Sequence, residues 1–146
     1  MTNAFKKDAD AANNGGICFA RNFALWAGCA FLWCVIDRLT KAYFDSNFHV
    51  GQIAVPDIFG LVQLNLVHNK GVAWGAFSGN IPIIAIATFL MCVGIAVFSL
   101  YWARRSSAPE MIGLGLLFAG GVGNLYDRIV QGYVVDFITP LFIDFP

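Results

Sequence analysis

The sequence predicts a mainly α-helical membrane protein with three transmembrane helices and a small extracytoplasmic β-sheet. Of its 146 residues, 58% are hydrophobic and only 12% are charged, whereas a soluble domain has roughly 45–50% apolar and about 25% charged residues. The apolar residues form three separate stretches, and each is close to the ~20 residues that a helix needs to cross a bilayer. The formal net charge is zero, so the composition gives no indication of a nucleic-acid partner.

The three apolar stretches predict where the chain crosses the membrane. The second is the clearest, because the 33 residues between Lys70 and Arg104 carry no charge, and its densest part covers residues 81–103. The first span covers about residues 22–44. The third covers about residues 111–128 and is rich in glycine, which lets helices approach each other closely in lipid.

The basic residues predict the orientation of these spans. Lys and Arg are enriched in the cytoplasmic loops of membrane proteins. Five of them flank the first two spans: Lys6, Lys7, Arg21, Arg104 and Arg105. We therefore expect a cytoplasmic amino terminus and an extracytoplasmic segment over about residues 45–80. Residues 1–21 are mostly small and polar, and we expect them to form a disordered cytoplasmic leader.

The segment over residues 45–80 shows an alternation of apolar residues that is typical of β-strands. Ile53 and Val55 form one short run, and residues 61–67 form another. Gly51, Pro56, Asp57 and Gly60 punctuate these runs. The pattern predicts short strands and turns that lie against the membrane surface.

The four cysteines give no sign of a disulfide framework or a metal site. They form no CxxC pair and have no histidine at metal-ligand spacing. Three of them lie within apolar runs, where a free thiol behaves as a small hydrophobic side chain. The cysteines are Cys18, Cys29, Cys34 and Cys92. We expect no metal and no cofactor.

A first cluster of charged residues ends the first span. Ionisable groups near a bilayer are costly and by default mark function. Asp37 and Lys41 are four residues apart, so on a helix they share one face and can form an ion pair. The alternative is a helix end whose charged side chains reach the lipid headgroups.

A second cluster precedes the second span, over residues 65–79. Asn69 and Gly71 lie where the outer segment meets the helix. They can belong to a site, or they can form a turn that leads into the helix. His68 is a single histidine in this segment, and no metal or base chemistry can be argued from it.

A third cluster covers residues 120–140. Asn124 and Arg128 are four residues apart, so they share one face of the third helix. Asp136 follows in a short extended run flanked by valine, phenylalanine and isoleucine. Desolvation in such a setting favours a neutral carboxylic acid, which makes Asp136 a candidate acid or base. An ion pair between Asp136 and a nearby arginine is the alternative.

Together these clusters resemble the motifs of one family. Residues 37–41 read D-R-x-T-K, residues 69–77 read N-x-G-x-A-x-G-x-F, and residues 120–128 read G-G-x-x-N-x-x-D-R. V-V-D-F follows at residues 134–137. In their order, spacing and position relative to the spans, these motifs look like those of the lipoprotein signal peptidases, also called signal peptidase II. The similarity covers about residues 22–146.

The resemblance implies a membrane aspartic endopeptidase of the bacterial cytoplasmic membrane. Such enzymes have four spanning helices and a small extracytoplasmic sheet. They remove the signal peptide from diacylglyceryl-modified prolipoproteins by cutting before the lipidated cysteine. Two aspartates form a dyad near the outer membrane surface, and Asp136 matches the first of them. The residues that match positions shaping the site or holding the substrate are Asp37, Lys41, Asn69, Gly71, Asn124 and Arg128.

The sequence departs from the family pattern at its carboxyl end. The resemblance puts the second aspartate in a motif like F-N-x-A-D, at the start of a fourth helix beyond Pro146. Asp127 and Asp144 are the nearby carboxylates, and neither has the matching context. Asp127 belongs to the family pattern, but not to the dyad. We therefore expect the chain to insert into a membrane and to have little or no peptidase activity.

Three interpretations follow from this departure. The sequence can be an enzyme that lacks its fourth helix. It can be a three-span relative that binds lipidated signal peptides without cleaving them. It can also be a small membrane subunit whose charged residues hold helices together.

Overall fold

Three long helices and three short strands make up the protein. A computed structural model describes the backbone of residues 2–71 and 80–142, and within those ranges the side chains from residue 15 onward. The elements follow in the order α1 (Thr2–Asn47), β1 (Ile53–Ile58), β2 (Val62–Asn69), α2 (Ile81–Trp102), α3 (Ala108–Val130) and β3 (Val134–Pro140). All three helices are long and apolar enough to cross a membrane, which confirms the predicted fold class.

Helix α1 is longer than the sequence predicted. We expected a disordered leader over residues 1–21, but the helix begins at Thr2. Its part that is apolar enough to span a membrane is Gly15–Asn47. Residues 2–14 include four alanines and two lysines, which are good helix formers. They extend a helix that the apolar span has already nucleated, so each added residue gains a hydrogen bond without a new nucleation step.

Helix α3 lies between α1 and α2, and its glycines allow the close approach that their density predicted. A Cβ built on Gly115 would lie 2.8 Å from the carbonyl oxygen of Trp26 on α1. A Cβ on Gly121 would lie 2.7 Å from Cys92 Sγ on α2. Both distances are too short for a real side chain. The two neighbouring helices therefore pack against the backbone of α3 itself.

The strands form one antiparallel sheet in the order β1-β2-β3. A tight turn at Phe59 and Gly60, both with positive φ, joins β1 to β2. The predicted strands are therefore present, with one difference. Pro56 and Asp57 lie within β1 rather than in a turn. A proline is tolerated there because β1 is an edge strand, where an amide can face away from the ladder.

The sheet packs at one end of the helix bundle, which we call the sheet end. The ring of Phe137 on β3 stacks on Phe44 of α1, with 4.4 Å between the ring centroids. Leu66, Val134 and Val135 are buried in the same region. This packing sets β3 against the last turns of α1 and α3.

A buried asparagine holds the opposite end of the bundle together. Asn22 on α1 is fully buried. Its Nδ2 donates hydrogen bonds to the carbonyl oxygens of Ala103 (2.9 Å) and Ser106 (2.8 Å), in the connection between α2 and α3. Nothing in the local sequence pattern marks Asn22 as a residue that connects the helices.

Candidate active site

Four charged side chains form an ion cluster between α1 and α3 at the sheet end. Arg38 Nη2 lies 2.7 Å from Asp37 Oδ2, and Arg38 Nη1 lies 2.6 Å from Asp127 Oδ1. Lys41 Nζ lies 3.2 Å from Asp37 Oδ1 and 2.9 Å from Asp127 Oδ2. Each cation therefore bridges the same two carboxylates, and the four formal charges cancel.

Lys41 and Asp127 form the buried part of the ion cluster, while Arg38 and Asp37 are partly exposed. Only 7% of the Lys41 side chain and none of the Asp127 side chain is exposed. Buried charges are tolerated only when they are paired and hydrogen-bonded, and both conditions are met. The predicted pair between Asp37 and Lys41 is thus present, with Lys41 turned into the helix interface rather than toward the headgroups.

Asp136 is held by an asparagine from the neighbouring strand. Asn69 Nδ2 donates a hydrogen bond of 2.9 Å to Asp136 Oδ2. Asn69 Oδ1 in turn accepts a hydrogen bond of 2.9 Å from the backbone N–H of Gly71. These two contacts use both ends of the amide and so fix its orientation. In the part of the chain that the structure describes, the hydrogen-bond partner of Asp136 is Asn69 and not an arginine.

Arg128 connects the strand residues to α3. Its Nη2 donates to the carbonyl oxygen of Gly71 (3.2 Å), and its Nη1 donates to the carbonyl oxygen of Asn124 (3.3 Å). The side-chain oxygen of Asn124 accepts a hydrogen bond of 3.0 Å from Lys41 Nζ. These contacts connect the ion cluster to Asp136. All seven site residues predicted from the sequence thus lie in one continuous hydrogen-bonded network.

A groove between α2 and α3 opens beside this network. Its volume is about 450 Å³. The walls are mainly apolar, and three polar residues contribute to them. The apolar residues include Ile83, Ile84, Ala87 and Met91, and the polar ones are Thr88, Asn124 and Arg128. Such a groove suits an apolar ligand that also carries a polar group.

His68 has a structural partner that the sequence did not reveal. Its Nε2 lies 2.8 Å from Asp45 Oδ1 at the end of α1. Its ring stacks on Tyr133, with 3.9 Å between the centroids. Burial, followed by the negative charges of Asp45 and Asp127, raises the pKa of the Tyr133 hydroxyl. Through its contact with Asp45, His68 connects strand β2 to α1.

The structure adds Arg38 and Asp127 to the site. Both occur in the motifs of the sequence, but neither was expected to act in the site. Arg38 and Asp127 contact each other although they are 89 positions apart in the sequence. No local sequence pattern can show such a contact. Within residues 15–71 and 80–142, no group of three or more His, Cys, Asp or Glu side chains could hold a metal ion. The A-x-G-x-F part of the second motif and Asp144 lie outside the described residues.

A family model for signal peptidase (SPase) II matches residues 29–146. The chain belongs to the signal peptidase II family. Together with the three candidate spans, this membership makes the chain a multi-pass membrane protein. The recognition made from the sequence motifs is thereby confirmed.

Several lipoprotein signal peptidases are similar to this signal peptidase II family member. That of Fusobacterium nucleatum is 36% identical over 107 residues, which are 71% of this chain and 62% of the relative. That of Clostridium acetobutylicum is 35% identical over 72% of this chain and 67% of the relative. That of Gloeobacter violaceus is 36% identical over 87% and 72%. The chain thus spans less than two thirds of the Fusobacterium relative.

Two solved structures also resemble this family member. Both are described as a bacterial membrane enzyme determined by the in meso method, at 2.3 and 1.9 Å resolution. The TM-scores are 0.69 and 0.66, each at 28% sequence identity. Each match covers 83% of this chain, and 74% and 78% of the respective structures. The arrangement of three spans and a small sheet is therefore shared with an enzyme from a bacterial membrane.

Proposed function

We propose that this protein acts in removing signal peptides from diacylglyceryl-modified prolipoproteins, with cleavage before the lipidated cysteine. Asp136 is, on this proposal, one of two aspartates that carry out the hydrolysis. The observation that carries the proposal is the position of Asp136. Its carboxylate is held by Asn69 and linked through Gly71 to Arg128 in the wall of the apolar groove.

The proposed chemistry divides two tasks between two carboxyl groups. One carboxylate takes a proton from the attacking water, and the other carboxyl group donates a proton to the scissile carbonyl oxygen. Two carboxyl groups in one site share a proton because both cannot ionise at close range. Asp136 is suited to one of these roles, because its recorded contact is a single neutral donor, Asn69.

Asp127 is poorly suited to be the second member of the dyad. Its two oxygens accept hydrogen bonds from Arg38 and Lys41, and two paired cations favour the ionised form. A group locked in this way cannot donate a proton in the reaction. On our proposal the second carboxyl group belongs to a fourth helix that follows residue 146, as the family resemblance implies.

The groove between α2 and α3 fits the proposed substrate. The hydrophobic part of a signal peptide and the acyl chains of the lipid are apolar, and the groove walls are formed largely by Ile83, Ile84 and Met91. Asn124 and Arg128 offer polar contacts in this groove, and Arg128 is linked through Gly71 and Asn69 to Asp136. On our proposal, membrane lipid surrounds the parts of the substrate that lie outside the groove.

The proposed orientation places the site at the outer face of the bacterial cytoplasmic membrane. Arg21 contacts Asn22 at the end of the bundle away from the sheet. Asn22 in turn contacts Ser106, next to Arg104 and Arg105. Arg21, Arg104 and Arg105 therefore lie at the same end of the bundle. Basic residues of this kind favour the cytoplasmic side of the membrane. The sheet end, with Asp136, then faces outward.

Cleavage of a diacylglyceryl-modified prolipoprotein by the purified protein tests this function. Two preparations are compared, the 146-residue chain and the same chain extended after Pro146 by the fourth helix of a relative. We expect the extended protein to cleave and Asp136→Asn to abolish cleavage. Asp57→Asn serves as a charge-matched control. Asp57 only accepts a hydrogen bond from Gly60 in the hairpin turn, and asparagine preserves that acceptor.

The outcomes separate the proposal from its alternatives. Cleavage by the extended protein that survives Asp136→Asn would refute the assigned role of Asp136. Binding of the lipidated substrate by both preparations without any cleavage would identify a binding protein instead. Absence of both binding and cleavage would indicate a membrane subunit of another kind.

A further inference from the structure

Asp127 joins three structural elements through one buried carboxylate. Its side chain is completely buried. Oδ1 accepts a hydrogen bond of 2.6 Å from Arg38 Nη1. Oδ2 accepts one of 2.9 Å from Lys41 Nζ and one of 3.3 Å from the backbone N–H of Val135. The carboxylate thus connects α3, on which it lies, to α1 and to β3.

The contact with Val135 uses an amide that the sheet itself leaves free. In the part of the chain that the structure describes, β3 is an edge strand. On such a strand, every second N–H points away from the neighbouring strand. The amide of Val135 points toward α3, and Asp127 accepts its hydrogen bond. Hydrogen bonds to an ionised acceptor are roughly twice as strong as neutral ones, so this contact restrains β3 at Val135.

Asp136 follows Val135 directly, so the same contact restrains the backbone of Asp136. The carboxylate of Asp136 is held separately, by Asn69 from β2. One restraint therefore acts through the backbone and comes from α3, while the other acts through the side chain and comes from the sheet. Neither restraint by itself would fix the direction in which the Asp136 carboxylate points.

We propose that Asp127 is a positioning residue for Asp136. It acts through strand β3 and does not touch the substrate. Arg38 and Lys41 belong to the same arrangement, because they hold the Asp127 carboxylate from the opposite side. This inference rests on the proposed role of Asp136 in hydrolysis.

Asp37 provides a matched control, because it shares both cations with Asp127 but not the strand. Its carboxylate lies 2.7 Å from Arg38 Nη2 and 3.2 Å from Lys41 Nζ. The formal charges of the ion cluster cancel, so either Asp→Asn substitution leaves the same single excess positive charge. Only Asp127→Asn also replaces the ionised acceptor that faces Val135 by a neutral amide with a single acceptor oxygen, which cannot hold Arg38, Lys41 and the Val135 N–H together.

The test combines hydrogen exchange with kinetics on the whole protein in lipid nanodiscs. Exchange is followed by mass spectrometry in peptides that cover β3. We expect Asp127→Asn to speed β3 exchange on the order of tenfold, since a neutral acceptor holds the Val135 N–H less strongly and local opening becomes easier. Asp37→Asn, which keeps the contact between Asp127 and Val135, should speed β3 exchange much less than Asp127→Asn. In a preparation that cleaves a diacylglyceryl-modified prolipoprotein, Asp127→Asn should lower kcat about 100-fold, as displacements near 1 Å can do. KM should change less than about threefold.

Two results would overturn the inference. Equal acceleration of β3 exchange in both Asn variants would mean that the loss of charge, and not positioning, governs the strand. A raised KM at unchanged kcat would mean that Asp127 contacts the substrate. If the wild type binds but never cleaves, the proposed function fails, while the exchange data still decide whether Asp127 positions β3.

A second variant covers the case in which Asp127→Asn does not insert. Asp127→Glu keeps the charge balance but moves the carboxylate by one methylene. We expect it to insert and to show faster β3 exchange than the wild type. Exchange identical to the wild type in Asp127→Glu would contradict the positioning role.

Discussion

The carboxylate of Asp37 occupies the space that a side chain at position 123 would need. A Cβ built on Gly123 would clash with Asp37 Oδ2 and would lie 2.9 Å from Asp37 Cγ. Asp37 cannot easily turn away, because Arg38 and Lys41 hold it. The absence of a side chain on α3 therefore allows an acidic residue of α1 to enter the helix interface and complete the ion cluster.

We predict that Gly123→Ala destabilises the protein by about 1–3 kcal/mol, as is typical of overpacking in a tight interface. The added methyl group must displace the Asp37 carboxylate from its cations. The measurement is the unfolding midpoint in detergent micelles. Gly113→Ala on the same helix is the control, since a Cβ there meets nothing within 4 Å. Equal midpoints for the two variants would show that α1 and α3 separate easily at Gly123.

We predict that Asn22→Ala weakens the end of the bundle away from the sheet. The substitution removes the donor for the carbonyl oxygens of Ala103 and Ser106. A buried polar group left without its partner costs about 1–3 kcal/mol. The effect should appear as a lower unfolding midpoint and as faster hydrogen exchange in the connection between α2 and α3.

Asn47→Ala is the matched control for that prediction. Asn47 is exposed and donates only to the carbonyl oxygen of Tyr43 within its own helix. Water can replace such a contact at little cost. A loss of stability as large in Asn47→Ala as in Asn22→Ala would argue against a special role for burial.

We predict that Asn69→Ala, made in the protein extended by a fourth helix, reduces cleavage of a diacylglyceryl-modified prolipoprotein by roughly 10- to 100-fold. A hydrogen bond to a charged group contributes about 1.5–3 kcal/mol, which corresponds to a rate change of that size. Asn65→Ala on the same strand is the control, because Asn65 accepts a hydrogen bond from Thr139 and not from the site. Similar rates for both variants would mean that Asn69 does not orient Asp136.

We predict that removing Lys41 and Asp127 together is less harmful than removing either one. Lys41→Met or Asp127→Asn alone leaves an uncompensated buried charge, which costs about 3–5 kcal/mol. The double variant leaves Asp37 and Arg38 paired with each other. A double-mutant cycle on the free energy of unfolding measures the coupling between the two side chains. Additive losses would show that the two charges act independently.

Much of the fold could be predicted from the sequence because the relevant signals are local. An uncharged stretch of about 20 apolar residues predicts a membrane span whatever the fold of the rest of the chain. Helix α2 (Ile81–Trp102) matches its predicted range closely. The i and i+4 spacing of Asp37 and Lys41 predicted a pair that the structure contains. The leader was predicted incorrectly, because its polarity indicated disorder while its alanines extend the neighbouring helix.

The candidate site could be predicted only in part. The motifs identified the residues, but not how they connect. Whether Asp136 meets an arginine or another partner depends on the register between β2 and β3, and the structure pairs it with Asn69. Asp127 belongs to a sequence motif, but the motif does not indicate its role. Its contacts with Arg38, Lys41 and Val135 form only when α1, α3 and β3 pack together.

The sequence by itself determined the three spans, the short strands and the family, because hydropathy, alternation and motif spacing are properties of consecutive residues. Only the tertiary structure decided which buried polar groups meet. Asn69 and Asp136 are 67 positions apart, and Arg38 and Asp127 are 89 apart. Such pairs depend on how each helix is rotated and how the strands are aligned. Buried polar groups must find partners, but the local sequence does not specify which ones.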